Sequence, residues 1–133
     1  MATDPERVPI REEPDIVRVR QAVRAAAKRL GFGLVDQTKL VTAASELARN
    51  ALIHGGGGRC EVEVIQGQAR EGIRLTFSDE GPGIPDLERA FSDGFSTQGG
   101  LGLGLGGARR LVDEFAIDSE PGRGTQITVL RWA

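Results

Sequence analysis

The sequence predicts an α+β domain, a two-layer α/β sandwich with helices on one face of a mainly antiparallel, mixed sheet. Three observations lead there. Helical periodicity is concentrated before Gly55, and period-two alternation appears in short paired segments after Arg59. A chain of 133 residues suits one hydrophobic core, so residues 1–133 are read as a single domain.

Val8-Pro9-Ile10 reads as a short edge strand, because proline cannot donate within a sheet interior. From Pro14 to Leu30 the apolar residues Ile16, Val19, Val23, Ala27 and Leu30 recur every three or four positions among Arg and Lys. This is an amphipathic helix, opened by Pro14 in its first turn and closed by Gly31. A second helix is predicted from about Thr38 to His54, with Asp36 as N-cap and Gly55 to Gly58 as terminator. Its residues Leu40, Val41, Ala43, Ala44, Leu47, Ala48, Ala51, Leu52 and Ile53 are apolar nearly all round, so it should be mostly buried. Cys60 to Val64 and Ile73 to Phe77 alternate with period two, and the polar stretch Gly67 to Gly72 is the turn of that hairpin. Gly81 to Gly100, rich in Gly, Pro, Ser and Asp, is longer than most connections and is expected to be a functional lid or flexible loop. Leu103 to Glu114 can form a third helix. Phe115 to Ser119 and Thr125 to Trp132 are strand-like and are joined by a turn from Glu120 to Gly124.

Bulk properties narrow the function. A formal net charge of -2, with both signs interspersed, supplies no general field for nucleic acid or an anionic membrane, so neither is expected as a partner. Cys60 is the only cysteine, which excludes an intrachain disulfide and fits a reducing compartment. No apolar run approaches membrane-spanning length, and the charged N-terminus is unlike a signal peptide; a cytoplasmic location is the expectation. The 19 glycines remain to be explained.

Thr42, Glu46, Asn50 and His54 are each four apart, a polar stripe on an otherwise apolar helix. Composition and spacing leave two readings of it open, a solvated face and a row of functional groups. Continuing the inward row Ile73, Leu75, Phe77 puts Asp79 on the core-facing side, where a carboxylate is costly unless groups donate to it. Gly81 and Gly83 follow, in a segment that alone could equally be an ordinary Pro-Gly turn. The densest glycine stretch, Gly99 to Gly107, leads into a helix, and backbone amides at such a start suit phosphate oxygens. Gly102, Gly104 and Gly107 match the spacing GxGxxG, but no strand precedes them and too little chain follows for a dinucleotide-binding unit. No Lys-Ser or Lys-Thr follows the glycines, which excludes a Walker-type loop.

Together these motifs carry a resemblance. Ser45 to Ala51 resembles the N box of the GHKL ATPases, the superfamily of gyrase, heat-shock-90, histidine-kinase and mismatch-repair ATPases. Asp79 to Ile84 looks like their first glycine box, Gly102 to Leu105 like their second, and Gly124-Thr125 like the short motif of their last strands. Asp93 to Thr97, Gly99 to Gly102 and Arg110 to Phe115 are similar to stressosome switch kinases of the RsbT type, within the anti-sigma regulatory serine-kinase branch. His54 with the glycines after it departs from that pattern toward the related anti-sigma kinases. The resemblance implies a Bergerat-type ATP-binding fold and a serine/threonine protein kinase using Mg-ATP on a STAS-domain regulatory partner. A PP2C-type phosphatase or a sigma factor is a further partner it implies. Asp79 would accept the adenine amino proton, Asn50 would give its oxygen to Mg²⁺, and Glu46 would take or orient the attacking hydroxyl's proton. Gly81, Gly83, Gly102, Gly104 and Thr125 would complete the nucleotide site. The alternative is an anti-sigma-type ATP-binding protein that sequesters a transcription factor, with or without kinase activity. The presence of both Glu46 and Asn50 favours the enzyme.

Overall fold

A computed structural model of the chain describes residues 5–83, 104–120 and 122–133. Along the chain these form β1 (Glu6–Ile10), α1 (Glu13–Arg29), α2 (Leu34–Ile53), β2 (Gly58–Gln66), β3 (Glu71–Asp79), α3 (Gly104–Arg110), β4 (Glu114–Glu120) and β5 (Gly124–Trp132). The sheet order is β1-β2-β3-β5-β4, and each of its four pairings is antiparallel. Pro9 lies on the edge strand β1, where its missing donor costs no ladder bond.

The helices cover one face of the sheet because the alternation leaves only that face apolar. Cys60, Val62, Ile73, Leu75, Phe77, Ile127 and Val129 are buried beneath Ile16, Val19 and Val23 of α1 and Leu40, Ala44 and Leu47 of α2. Burying one such leucine or isoleucine contributes about 2 kcal/mol. The other face is polar: Arg74 donates to Glu63 across β2 and β3 at 2.7 Å. Asp15 anchors the start of α1, accepting the backbone N–H of Arg11 at 2.9 Å and of Glu12 at 3.1 Å, with Arg18 as a charged partner. Those amides hold its carboxyl below the usual aspartate range.

Three boundaries differ from expectation. Helix α2 begins at Leu34, with Gly33 as its cap residue, so Asp36 lies in the first turn and is not the N-cap. A carboxylate is favoured throughout that turn by the helix dipole, and Asp36 is held there by Arg131 at 2.6 Å. The apolar signal that should have marked the turn is hidden, because Leu34 is 72% exposed and Val35 68%. Helix α3 ends at Arg110 instead of Glu114. Arg131 donates to the Leu111 carbonyl at 2.9 Å, the Asp113 N–H donates to the Leu130 carbonyl, and Glu114 enters the ladder opposite Leu130. Pairing with β5 thus overrides local helix preference. Gly72 belongs to β3 and not to the turn, and it lies under the Trp132 ring, on which Arg70 stacks at 5.1 Å. The lid expected from Gly81 to Gly100 lies, from residue 84 onward, outside the described residues, as does Gly102.

Candidate functional site

The polar stripe of α2 is not a solvated face. Glu46 is 2% exposed and Asn50 5%, while Thr42 is half-buried and only His54, beyond the last helical turn, is exposed. A carboxylate buried in this way needs donors. One is the backbone N–H of Gly104, which reaches Glu46 Oε1 at 3.1 Å from the first residue of α3. The amide expected to face phosphate is therefore directed at Glu46, and the N-box helix is tied to the glycine-rich segment through that bond.

Asp79 ends β3 on the inward side, as the alternation requires, opposite Thr125 of β5. Burial raises its pKa above the ordinary aspartate value; the N–H groups of Gly81 and Thr125 and the positive charge of His54 act in the opposite direction. The Gly81 bond is 3.0 Å long. Thr125 is 5% exposed, and its hydroxyl meets Ser119 Oγ at 2.9 Å. A Cβ on Gly124 would stand 2.2 Å from the Asp79 carbonyl oxygen, and one on Gly81 would stand 2.6 Å from the Gly55 Cα. The glycines on both sides of the carboxylate are there because backbone passes too close for any side chain.

These contacts join the two halves. The N–H of Gly55 donates to the Asn50 carbonyl at 3.3 Å, and Gly55 packs against both Asp79 and Gly81. The stripe Glu46, Asn50, His54 thus runs down α2 to the end of β3, where Asp79, Gly81 and Thr125 converge. A groove of about 360 Å³ at this strand end lies on the opposite, outward face of the sheet, where Arg59, Ser78, Gln126 and Asp118 form one cross-strand row, and it is not part of the site facing α2. Gly83 follows with a φ of +80°. Arg49, next to Asn50 in sequence, is engaged in an ion pair with Glu13 at 2.9 Å.

Sequence reasoning missed two residues here. Gly55 reads in the sequence only as a helix terminator, although it borders Asp79. Ser119 was not singled out, although the hairpin register places it opposite Thr125 and the turn between them fixes that register.

The arrangement brings a buried carboxylate, a buried amide and a partly buried aspartate among close-packed glycines together on one sandwich. Residues 35–132 match the family of histidine kinase-, DNA gyrase B-, and HSP90-like ATPases. The chain is 48% identical over 125 residues to the serine/threonine-protein kinase RsbT of Bacillus subtilis (strain 168), covering 94% of both chains. It is 35% identical to an anti-sigma F factor of Bacillus licheniformis, over 81% of this chain and 77% of that protein. To the anti-sigma F factor of Bacillus subtilis (strain 168) it is 36% identical, over 84% and 80%. No helix among the described residues is long and apolar enough to cross a membrane. With fold and similarity in agreement, the chain belongs to the histidine kinase-, DNA gyrase B- and HSP90-like ATPase family, and within it to the RsbT-like serine/threonine-protein kinases.

Proposed function

We propose that the chain uses Mg-ATP to phosphorylate a serine or threonine of a STAS-domain regulatory protein, as the kinase step of a bacterial sigma-factor switch in the cytoplasm. The observation that carries this reading is the burial of Glu46 and Asn50 one turn apart on α2, with Glu46 hydrogen-bonded to Gly104. A helix does not bury a carboxylate and an amide in succession without a use for them.

Asp79 accepts the adenine amino proton, and the carbonyl that guanine carries there would be repelled. Gly81 and Gly83 let backbone lie against the nucleotide, Thr125 borders the base beside Asp79, and Gly102 and Gly104 are the glycines assigned to the phosphates, with the Gly104 amide held by Glu46 in the absence of nucleotide. Asn50 fits a Mg²⁺ site by its donor chemistry: a neutral side-chain oxygen, 5% exposed, one turn from Glu46 on α2. When bound, that ion neutralises charge on the phosphate oxygens. In the transfer step the partner's hydroxyl oxygen attacks the γ-phosphorus, and the bond from that phosphorus to the β,γ-bridging oxygen breaks. The hydroxyl proton passes to the Glu46 carboxylate, and ADP leaves. The Gly104 N–H orients that carboxylate.

The sequestering alternative has one observation in its favour, the similarity over four-fifths of the chain to anti-sigma F factors. In that case a sigma factor would be the bound partner; in the kinase reading a PP2C-type phosphatase is the second one. The deciding experiment incubates the protein with labelled ATP, Mg²⁺ and the STAS-domain protein of its own operon. The native protein should yield an acid-stable phosphoserine or phosphothreonine. Glu46→Gln should keep ATP binding and lose transfer by about 100-fold or more. Transfer at the native rate by Glu46→Gln would make Glu46 structural, and ATP binding without any phosphorylated partner would replace the kinase with the sequestering protein.

A further inference from the structure

We infer that Arg131 is a positioning residue for the transfer step: by tying the Leu111 carbonyl to Asp36 it fixes where α3 sits along α2, and so holds the Gly104 N–H on Glu46. The inference rests on the proposed role of Glu46 as the proton acceptor.

Arg131 puts a permanent charge on the apolar side of the sheet. It is paired in register with the core residue Ile73, and its side chain is only 16% exposed. Nη1 donates to the Leu111 carbonyl at 2.9 Å and Nη2 to Asp36 Oδ1 at 2.6 Å, while Nε is buried with no hydrogen-bond partner among the described residues. A buried guanidinium that leaves one donor unmet is poorly suited to stability alone, because an apolar side chain of similar volume would do as well or better. What its two bonds do is join three elements: β5, which carries it, the residue that follows α3, and the first turn of α2.

The other end of α3 meets α2 through Gly104 and Glu46. Asp36 and Glu46 lie about 15 Å apart along α2, and Gly104 and Leu111 about 10 Å apart along α3 and its last turn. Helix α3 therefore runs antiparallel to α2 and is held at both ends, the long Arg131 side chain spanning the difference. Between those ends it offers α2 little relief: Gly104, Gly106, Gly107 and Ala108 are buried, with Leu105 as the one large side chain among them. Glycines allow close approach but supply no ridges, so they leave the position of one helix along the other weakly fixed. The clamp at Arg131 fixes it. A slip of α3 by about 1 Å would break the 3.1 Å bond from Gly104 to Glu46 and misdirect a carboxylate that must meet the attacking hydroxyl within hydrogen-bond reach.

The test uses the full chain, with the STAS-domain protein of its own operon as substrate. Arg131→Met keeps an apolar stem of similar length and should lower kcat for phosphoryl transfer about tenfold, while KM for ATP changes by less than about threefold. Arg131→Lys, which can keep only one of the two bonds, should fall between that variant and the native protein. Asp36→Ala opens the same clamp from its half-exposed end, where the fold is not at risk, and should lower kcat about threefold. Amide hydrogen exchange gives the readout that a merely stabilising residue would not move. The Gly104 N–H lies at the start of α3, where no intrahelical acceptor exists, so its protection comes from Glu46. In Arg131→Met it should exchange about tenfold faster, with the core amide of Leu75 at its native rate. In a Glu46→Gln background, Arg131→Met should reduce the residual transfer no further. Native kcat in Arg131→Met would overturn the proposal, and so would a loss of transfer that adds in full to that of Glu46→Gln, or one accompanied by equal acceleration of exchange at Gly104 and Leu75. If Arg131→Met does not fold, Asp36→Ala decides by the same measurements. Native-rate transfer by Glu46→Gln would remove the proton acceptor and the role of Arg131 with it; loss of transfer in Glu46→Gln but not in Arg131→Met would leave Glu46 standing and remove Arg131 alone.

Discussion

Asp79 illustrates at the scale of one residue how function is set against stability. Burial raises its pKa, so in the pH range just above the ordinary aspartate value the folded chain holds a proton that the unfolded chain has released. Stability therefore falls as pH rises through that range, and at neutral pH the ionised carboxylate is a net cost to the fold, reduced by the amides of Gly81 and Thr125. Asp79→Asn removes the charge and keeps the shape. Its melting temperature at pH 7 should match or exceed the native value, and its advantage should shrink as the pH is lowered toward 4. ATP affinity should nonetheless fall by at least tenfold, because the amide can present a donor to the adenine amino group. Paired thermal scans and calorimetry check both halves, and a variant that was less stable but bound ATP normally would reverse the assignment. Sequence alternation alone put Asp79 on the inward face, because period two leaves no choice once Ile73, Leu75 and Phe77 are in the core. It could not tell whether Glu46 and Asn50 were buried, since a helix with polar groups every fourth residue looks the same whether that stripe meets water or another part of the chain.

At the scale of elements, the β4–β5 hairpin aligns the base-binding end, and two of its glycines serve different purposes. Gly122 has a φ of +81° with open space where a Cβ would go, so it answers only to the turn. Gly124 has a φ of +85° and would also drive its Cβ to 2.2 Å from the Asp79 carbonyl oxygen. Gly122→Ala should cost about 1 kcal/mol, the price of a left-handed residue with a side chain. Gly124→Ala adds a backbone clash that the pairing of β3 with β5 cannot relieve without moving Asp79, and should cost about 3 kcal/mol or more. Urea unfolding distinguishes the two, and equal losses would mean that the close approach to Asp79 is not rigid. The hairpins were legible because alternating segments flank turn residues. The start of α2 and the end of α3 were not. Leu34 and Val35 are exposed where periodicity expects burial, and Glu114 is drawn from a helical pattern into the ladder by its pairing with Leu130. Both are consequences of tertiary contacts, the Arg131 links to Asp36 and Leu111 among them. No local window of sequence contains them.

At the scale of the whole molecule, the candidate site is assembled from segments far apart in the chain: α2 supplies Glu46 and Asn50, β3 ends in Asp79, α3 begins at Gly104, and β5 supplies Thr125. Only the folded sandwich holds them together, since each depends on a different contact with the shared core. A nucleotide that engages all of them binds the native state and has nothing comparable to bind in the unfolded chain. Such a ligand stabilises the fold by mass action, by about 2.7 kcal/mol at a concentration one hundred times its dissociation constant. For a domain of this size that corresponds to a rise in melting temperature of roughly 10 °C. Mg-ATP should produce this shift in the native protein, and GTP at the same concentration should produce much less. Asp79→Asn should lose the shift at the base, and Asn50→Ala should lose the part that depends on Mg²⁺, so that chelation by EDTA changes the native curve far more than the variant's. The three results together locate the nucleotide from its base to its metal. A native melting temperature indifferent to Mg-ATP would mean that these residues, although brought together by the fold, do not form one nucleotide site.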